Sequence, residues 1–247
     1  MQWIDARRSR GRALVVVARE QHAAIVAVRG SVNVHNFVSA CKIWPHRRAD
    51  VPVAVHAGYA EVADELLEEI EPLLDRGLNI HLTGHSLGGA VSTILALRLK
   101  AKGFHIAQVV AFGMPLVIWG DAAGTANGSN GSNGSNGTAD ERCLDLPLVR
   151  VEHPLDPVVH FPAALVNFPA PVRALGVRGG AGQRYHPVGR RVSIGDEAPT
   201  RTNKNDNSKA AVAAATPGLL GLRSVAAHRL RSYSAECTSR LSQTAGV

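Results

Sequence analysis

The stretch from Asn79 to Lys102 constrains this chain more than any other. It runs from Asn79-Ile80-His81-Leu82-Thr83 through Gly84-His85-Ser86-Leu87-Gly88-Gly89-Ala90 into an Ala- and Leu-rich segment closed by Gly103. The spacing predicts a short strand over Asn79–Thr83 and a helix over Leu87–Lys102. A Gly-x-Ser-x-Gly sequence between a strand and a helix has a geometric logic. The serine occupies a tight, strained turn, and its neighbours must lack bulk so that strand and helix can pack closely. Its Oγ then projects beyond the sheet, beside a helix N-terminus that favours developing negative charge. The segment has the form of a nucleophile elbow.

Elsewhere the chain alternates in the same way. Ala13–Ala18 and Ala23–Val28 are β-branched runs separated by four polar residues, and they read as neighbouring strands. Tyr59–Arg76 carries Val62, Leu66, Leu67, Ile70, Leu73 and Leu74 at helical spacing, with acids mostly on the opposite side. Pro72 should end that helix near its last turn, and Gly77 suits the stop. Ala107–Phe112 and Leu148–Glu152 are further strand-like runs. Strands alternating with helices predict an α/β layered fold with a mostly parallel central sheet flanked by helices. Two tracts contain nothing to bury: an Asn-Gly-Ser repeat at about 120–139 and an Asn-rich run at about 200–215. The organisation expected is one domain over 12–247 with those two insertions, preceded by a basic N-terminal stub at 1–11.

Composition excludes several classes. The 247 residues are 45% hydrophobic, which rules out wholesale disorder. Ile106–Trp119, the longest apolar stretch, is too short and too interrupted to span a bilayer. Three distant cysteines imply neither a disulfide framework nor a zinc site. No His and carboxylate pair falls at metal-ligand helical spacing, so no metal and no cofactor is expected. The net charge of +7 divides into +6 over residues 1–58, −7 over 59–172 and +8 over 173–247. With aromatics at 4% and none interleaved with the basic residues, no nucleic-acid surface is expected. The N-terminus lacks the apolar core of a secretory signal, so an intracellular location is expected, an organellar one included.

Three motifs in order give a resemblance. Val28-Arg29-Gly30-Ser31, Val55-His56-Ala57-Gly58-Tyr59 and the serine turn together resemble the class 3, fungal lipase-like branch of the α/β-hydrolases. The resemblance is dense over residues 13–119 and patchy to about 235. It implies that Ser86 is the nucleophile and that the backbone N–H groups of Ser31 and Leu87 form the oxyanion hole. It also implies a lid between Ser31 and Val55, with Phe37, Val38 and Trp44 as its apolar candidates and His46, Arg47 and Arg48 as a basic edge. Asn36-Phe37 stands where the family often has Asp-Trp.

A serine nucleophile needs a histidine to take its proton and a carboxylate to orient that histidine, here in the chain order Ser, acid, His. His153-Pro154-Leu155-Asp156-Pro157-Val158, after the strand Leu148–Glu152, resembles the family's acid loop and points to Asp156, with Asp145 and Glu152 as alternatives. Only His160, His186 and His228 follow it. His228, in a His-x-x-x-x-Tyr segment, occupies the family's C-terminal position for the base; His186 is the alternative. His56 and His85 read as structural, and Phe161–Phe168 is a candidate acyl-pocket wall. The resemblance implies a serine carboxylic-ester hydrolase acting on acylglycerols. A phospholipase A1, a galactolipid acylhydrolase or an inactive binding scaffold are the other readings. The partner implied is a lipid ester, with peripheral contact to a lipid surface favoured by the basic segments; oligomeric state is left open.

Overall fold

The computed structural model describes residues 1–6, 8–9, 11–30, 42–121, 145–162, 183–194, 233–235 and 237. Ser31, Phe37, Val38 and His228 lie outside these residues. So do most of the two predicted insertions, although Gly120 and Asp121 belong to a strand.

Among the described residues, eleven strands form two sheets. The larger has the order β1 (Gln2–Asp5), β2 (Arg12–Ala18), β3 (Ala23–Val28), β6 (Asn79–His85), β7 (Ile106–Phe112), β9 (Leu148–Glu152) and β11 (Arg190–Ser193). Its first three strands are antiparallel, and those from β3 to β11 are parallel. A smaller antiparallel sheet contains β10 (Gln183–His186), β8 (Ile118–Asp121), β5 (Ala54–His56) and β4 (Pro45–His46). Two helices, α1 (Ala57–Ile70) and α2 (Leu87–Ala101), pack against one face of the larger sheet and each other.

Residues 2–5, read from the sequence as part of a basic stub, form the edge strand. Trp3 pairs with Leu14, and only Ile4 of the four is buried. The turn that follows is held by a carboxylate of α1. Glu65 accepts the backbone N–H groups of Arg8 at 2.6 Å and Ser9 at 2.8 Å. Glu65 is therefore a buried acid on a helix whose acids were expected mostly to face water. Burial pushes its carboxyl pKa up, but the two backbone donors outweigh this and hold it below the usual glutamate value.

α1 ends at Ile70 and gives way to a tight turn at Glu71–Leu73 containing Pro72, where the sequence places the stop. α2 is buried from Leu87 to Leu99 without interruption. It sits against α1 on one side and β6, β7 and β3 on the other, which accounts for its lack of a polar face. Ile80, Leu82, Val109 and Ala111 supply the sheet's side of that core. Arg98 of α2 bonds Asp50, in the loop before β5, and Asp64 of α1, while Arg48 bonds Asp64 and lies 3.6 Å from Asp50. Lys42 pairs with Glu61 at 2.5 Å. Of the basic lid edge expected at His46, Arg47 and Arg48, Arg48 is thus paired with Asp64 of α1.

Candidate active site

The parallel strands deliver their carboxyl ends to one edge of the sheet, where ligands bind in open α/β folds. In register, Val28 of β3 lies beside Gly84 of β6, Gly84 beside Ala111 of β7, and Phe112 beside Val151 of β9. The residues that follow these strands, Arg29-Gly30, Ser86, Gly113 and His153–Asp156, therefore converge.

Ser86 has φ +56° and ψ −127°, a conformation that non-glycine residues seldom adopt and that costs on the order of 1–3 kcal/mol. The strand fixes it from one side: its N–H donates to Phe112 O at 2.8 Å. The helix fixes it from the other, since Gly89 and Ala90 donate to Ser86 O at 3.0 and 3.3 Å. Close packing requires the flanking glycine. A Cβ on Gly88 would meet the Val28 carbonyl oxygen and stand 2.9 Å from the Arg29 carbonyl carbon. Leu87 opens α2, so its N–H is one of the terminal donors that have no acceptor within the helix. The chain leaving β3 passes close by, and a Cβ on Gly30 would lie 3.6 Å from that of Ser86.

Asp156 is 1% exposed, in the loop after β9. Its Oδ1 accepts the Val158 N–H at 2.9 Å, and its Oδ2 accepts the Tyr233 hydroxyl at 2.6 Å. Tyr233 in turn accepts the His153 N–H at 3.1 Å and packs edge-on to His85, ring centroids 5.5 Å apart. Gly113 lies beneath this pair with φ +52°, and a Cβ there would stand 2.8 Å from Asp156 Oδ2 and 2.9 Å from the Tyr233 hydroxyl. The rival acids are committed elsewhere. Glu152 bonds Arg150 and lies 2.9 Å from Arg191, while exposed Asp145 holds Lys100 at 2.7 Å. Lys100 also holds the Asp145 carboxyl below its ordinary pKa.

The structure also sorts the histidines. His186 belongs to β10, and its Nε2 lies 2.7 Å from the carbonyl oxygen of Gly120, in the smaller sheet. His160 is exposed in a turn at Val158–His160. His56 is fully buried, stacked on Tyr59 at 3.8 Å, with Phe161 and Tyr185 tilted around it. Phe161 thus packs in an aromatic group. Of the apolar lid candidates only Trp44 is described; it is 44% exposed, immediately before β4. Among the described residues no group of His, Cys, Asp and Glu could hold a metal ion, and no helix is long and apolar enough to cross a membrane.

Neither Gly113 nor Tyr233 was assigned a role from the sequence. For Gly113 the only local signal was a glycine directly after an apolar strand. For Tyr233 there was none beyond its place in the His-x-x-x-x-Tyr segment, because its partner lies 77 residues away.

Comparison with known proteins agrees with this architecture. A secreted mono- and diacylglycerol lipase of Fusarium solani is 30% identical over 113 residues, covering 42% of this chain and 33% of that protein. The chloroplastic phospholipase A1 PLIP1 of Arabidopsis thaliana is 32% identical over 104 residues, 38% of this chain and 16% of that protein. This chain thus spans a third or less of the length of these relatives. The solved structure of Rhizomucor miehei triacylglyceride lipase superposes with a TM-score of 0.55 at 21% identity, over 79% of this chain and 66% of that one. A triacylglycerol lipase described as having a serine protease triad at its catalytic centre gives 0.51 at 18% identity, with the same coverage. The fold is that of the α/β-hydrolases. The family model for lipase (class 3) matches residues 25–166, more than half of the sequence, and the chain belongs to that family.

Proposed function

We propose that this chain hydrolyses carboxylic esters of acylglycerols through Ser86, His228 and Asp156. The observation that carries the reading is the pairing of a strained serine elbow with a buried, fully oriented carboxylate at the end of a nearby parallel strand. The known activities of the family's lipases support the substrate class. His228 is assigned as the base because it follows the acid in the family's order and lies five residues before Tyr233, which touches Asp156. Five residues of chain reach at most about 17 Å.

In this mechanism Ser86 Oγ attacks the ester carbonyl carbon as His228 takes its proton. The tetrahedral oxyanion is held by the N–H groups of Leu87 and Ser31, each such donor being worth on the order of 3 kcal/mol. His228 returns the proton to the leaving alcohol, and the acyl group remains on Ser86. Water, deprotonated by the same imidazole, then releases the fatty acid and regenerates the serine. Asp156 holds the imidazole tautomer and stabilises the imidazolium throughout.

The test is hydrolysis of p-nitrophenyl esters of increasing chain length, then of mono-, di- and triacylglycerols and phosphatidylcholine, by wild type and Ser86→Ala. Wild type is expected to turn over the esters and the variant to fall to background. Equal rates on every ester would leave a binding scaffold and overturn the enzyme reading. Preference for phosphatidylcholine would replace the acylglycerol assignment with a phospholipase. His228→Ala should abolish turnover and His186→Ala should spare it, and the reverse outcome would move the base to His186.

A further inference from the structure

We propose that Tyr233 is a positioning residue of the active site, holding the Asp156 carboxylate through its hydroxyl, and that Gly113 is the clearance that makes this contact possible. The inference rests on the hydrolase reading above and adds a residue that lies outside the triad.

A buried carboxylate can rotate about its Cβ–Cγ bond unless both oxygens are bound. In this site both are. Val158 N–H takes Oδ1, and the Tyr233 hydroxyl takes Oδ2 at 2.6 Å, the short distance of a charge-assisted bond. Tyr233 is itself 1% exposed and cannot swing away, because its ring lies edge-on to His85 and to Phe112, with centroids at 5.5 and 6.4 Å. The His153 N–H donates to the same hydroxyl oxygen, so the phenolic proton is directed at Asp156. Burial first, and then the bond to Asp156, push the phenol pKa above the usual tyrosine range. The hydroxyl therefore remains a donor wherever the enzyme could work.

The other side of the contact is backbone. Gly113 directly follows β7 and is pinned to β9 by its N–H to Val151 O at 2.9 Å. Its positive φ and the two oxygens beneath 3 Å from a hypothetical Cβ leave no room for a side chain. One ring thus links the elbow through His85, the end of β7 through Phe112 and Gly113, and the acid loop through His153 and Asp156. Among the described residues, the titratable groups facing the pair are His85, His153 and Glu152, the last engaged by Arg150 and Arg191.

The experiment is Tyr233→Phe, assayed on a soluble short-chain ester across pH, with thermal unfolding as control. We expect kcat to fall roughly tenfold, the loss of about one charge-assisted hydrogen bond, with KM unchanged. The acid limb of kcat/KM should move to higher pH, because a carboxylate with one donor fewer favours the protonated base more strongly. In an Asp156→Asn background the same substitution should have little further effect. Site-specific 3-fluorotyrosine at 233 keeps the shape and strengthens the donor, and should move the acid limb the other way even if the phenylalanine variant does not fold. Wild-type kcat and an unmoved limb in either replacement, or a tenfold loss that persists in the Asp156→Asn background, would overturn the proposal. Absence of Ser86-dependent turnover in the wild type would instead overturn the hydrolase reading on which it stands.

Discussion

Replacing Glu65 by alanine should loosen the turn that joins β1 to β2, while β2 keeps its pairing with β3. The carboxylate accepts two backbone N–H groups, from Arg8 and Ser9, and is 9% exposed, so water replaces it poorly. The Arg8 guanidinium, 3.8 Å away and 81% exposed, adds little. Hydrogen bonds to a charged acceptor contribute about 1.5–3 kcal/mol each, but the freed turn can partly hydrate. A net loss of about 2–3 kcal/mol follows. For a domain of this size that is a fall in Tm of roughly 4–12 °C. The pH dependence gives an independent check. The folded pKa of Glu65 lies below its unfolded value, so its stabilisation is complete above the unfolded value, near 4.3, and is lost as pH falls through the folded one. Differential scanning calorimetry of wild type and Glu65→Ala from pH 7 to pH 3 should therefore show two melting curves that converge on the acid side. A variant that melts with wild type at pH 7, or a gap that widens on acidification, would refute the anchoring argument.

Two further predictions concern the core. Arg98→Met leaves Asp50 and Asp64 facing each other with only Arg48 between them, and should lower the unfolding free energy by about 1–3 kcal/mol, read from urea midpoints. Adding Asp64→Asn should recover part of that loss. Gly88→Ala drives a methyl group into the Val28 carbonyl and should abolish soluble, folded protein, checked by expression and far-UV circular dichroism; a variant with wild-type melting would show that the elbow has slack.

Four strands of the parallel half, β3, β6, β7 and β9, were legible as runs of five to seven residues, whereas β11, only four residues beginning with two arginines, was not. Nor was the smaller sheet. Its strands are two to four residues long, and they are joined by long-range contacts such as the Tyr185 hydroxyl on Ile43 O at 2.7 Å. The edge strand escaped notice because one buried residue, Ile4, makes no periodicity. Among the proposed site residues, Ser86 was singled out by small neighbours at a strand–helix junction, whereas Asp156 was singled out by resemblance, since no local pattern marks a buried acid. For a related reason, Glu65 was not singled out. Its position on α1 resembles a solvent face, and the backbone that draws it inward lies 56 residues earlier.

The uninterrupted burial of α2 has a consequence for how such a site could change. The proposed nucleophile, Ser86, stands at the head of a helix enclosed by sheet and neighbouring helix, so on that proposal the reacting oxygen shares the rigidity of the densest part of the molecule. On the proposed function, an altered preference for acyl length or head group would then originate in the loops around that fixed point. The chemistry is cast in the frame, and the choice of substrate is left to the parts that can be rewritten without melting it.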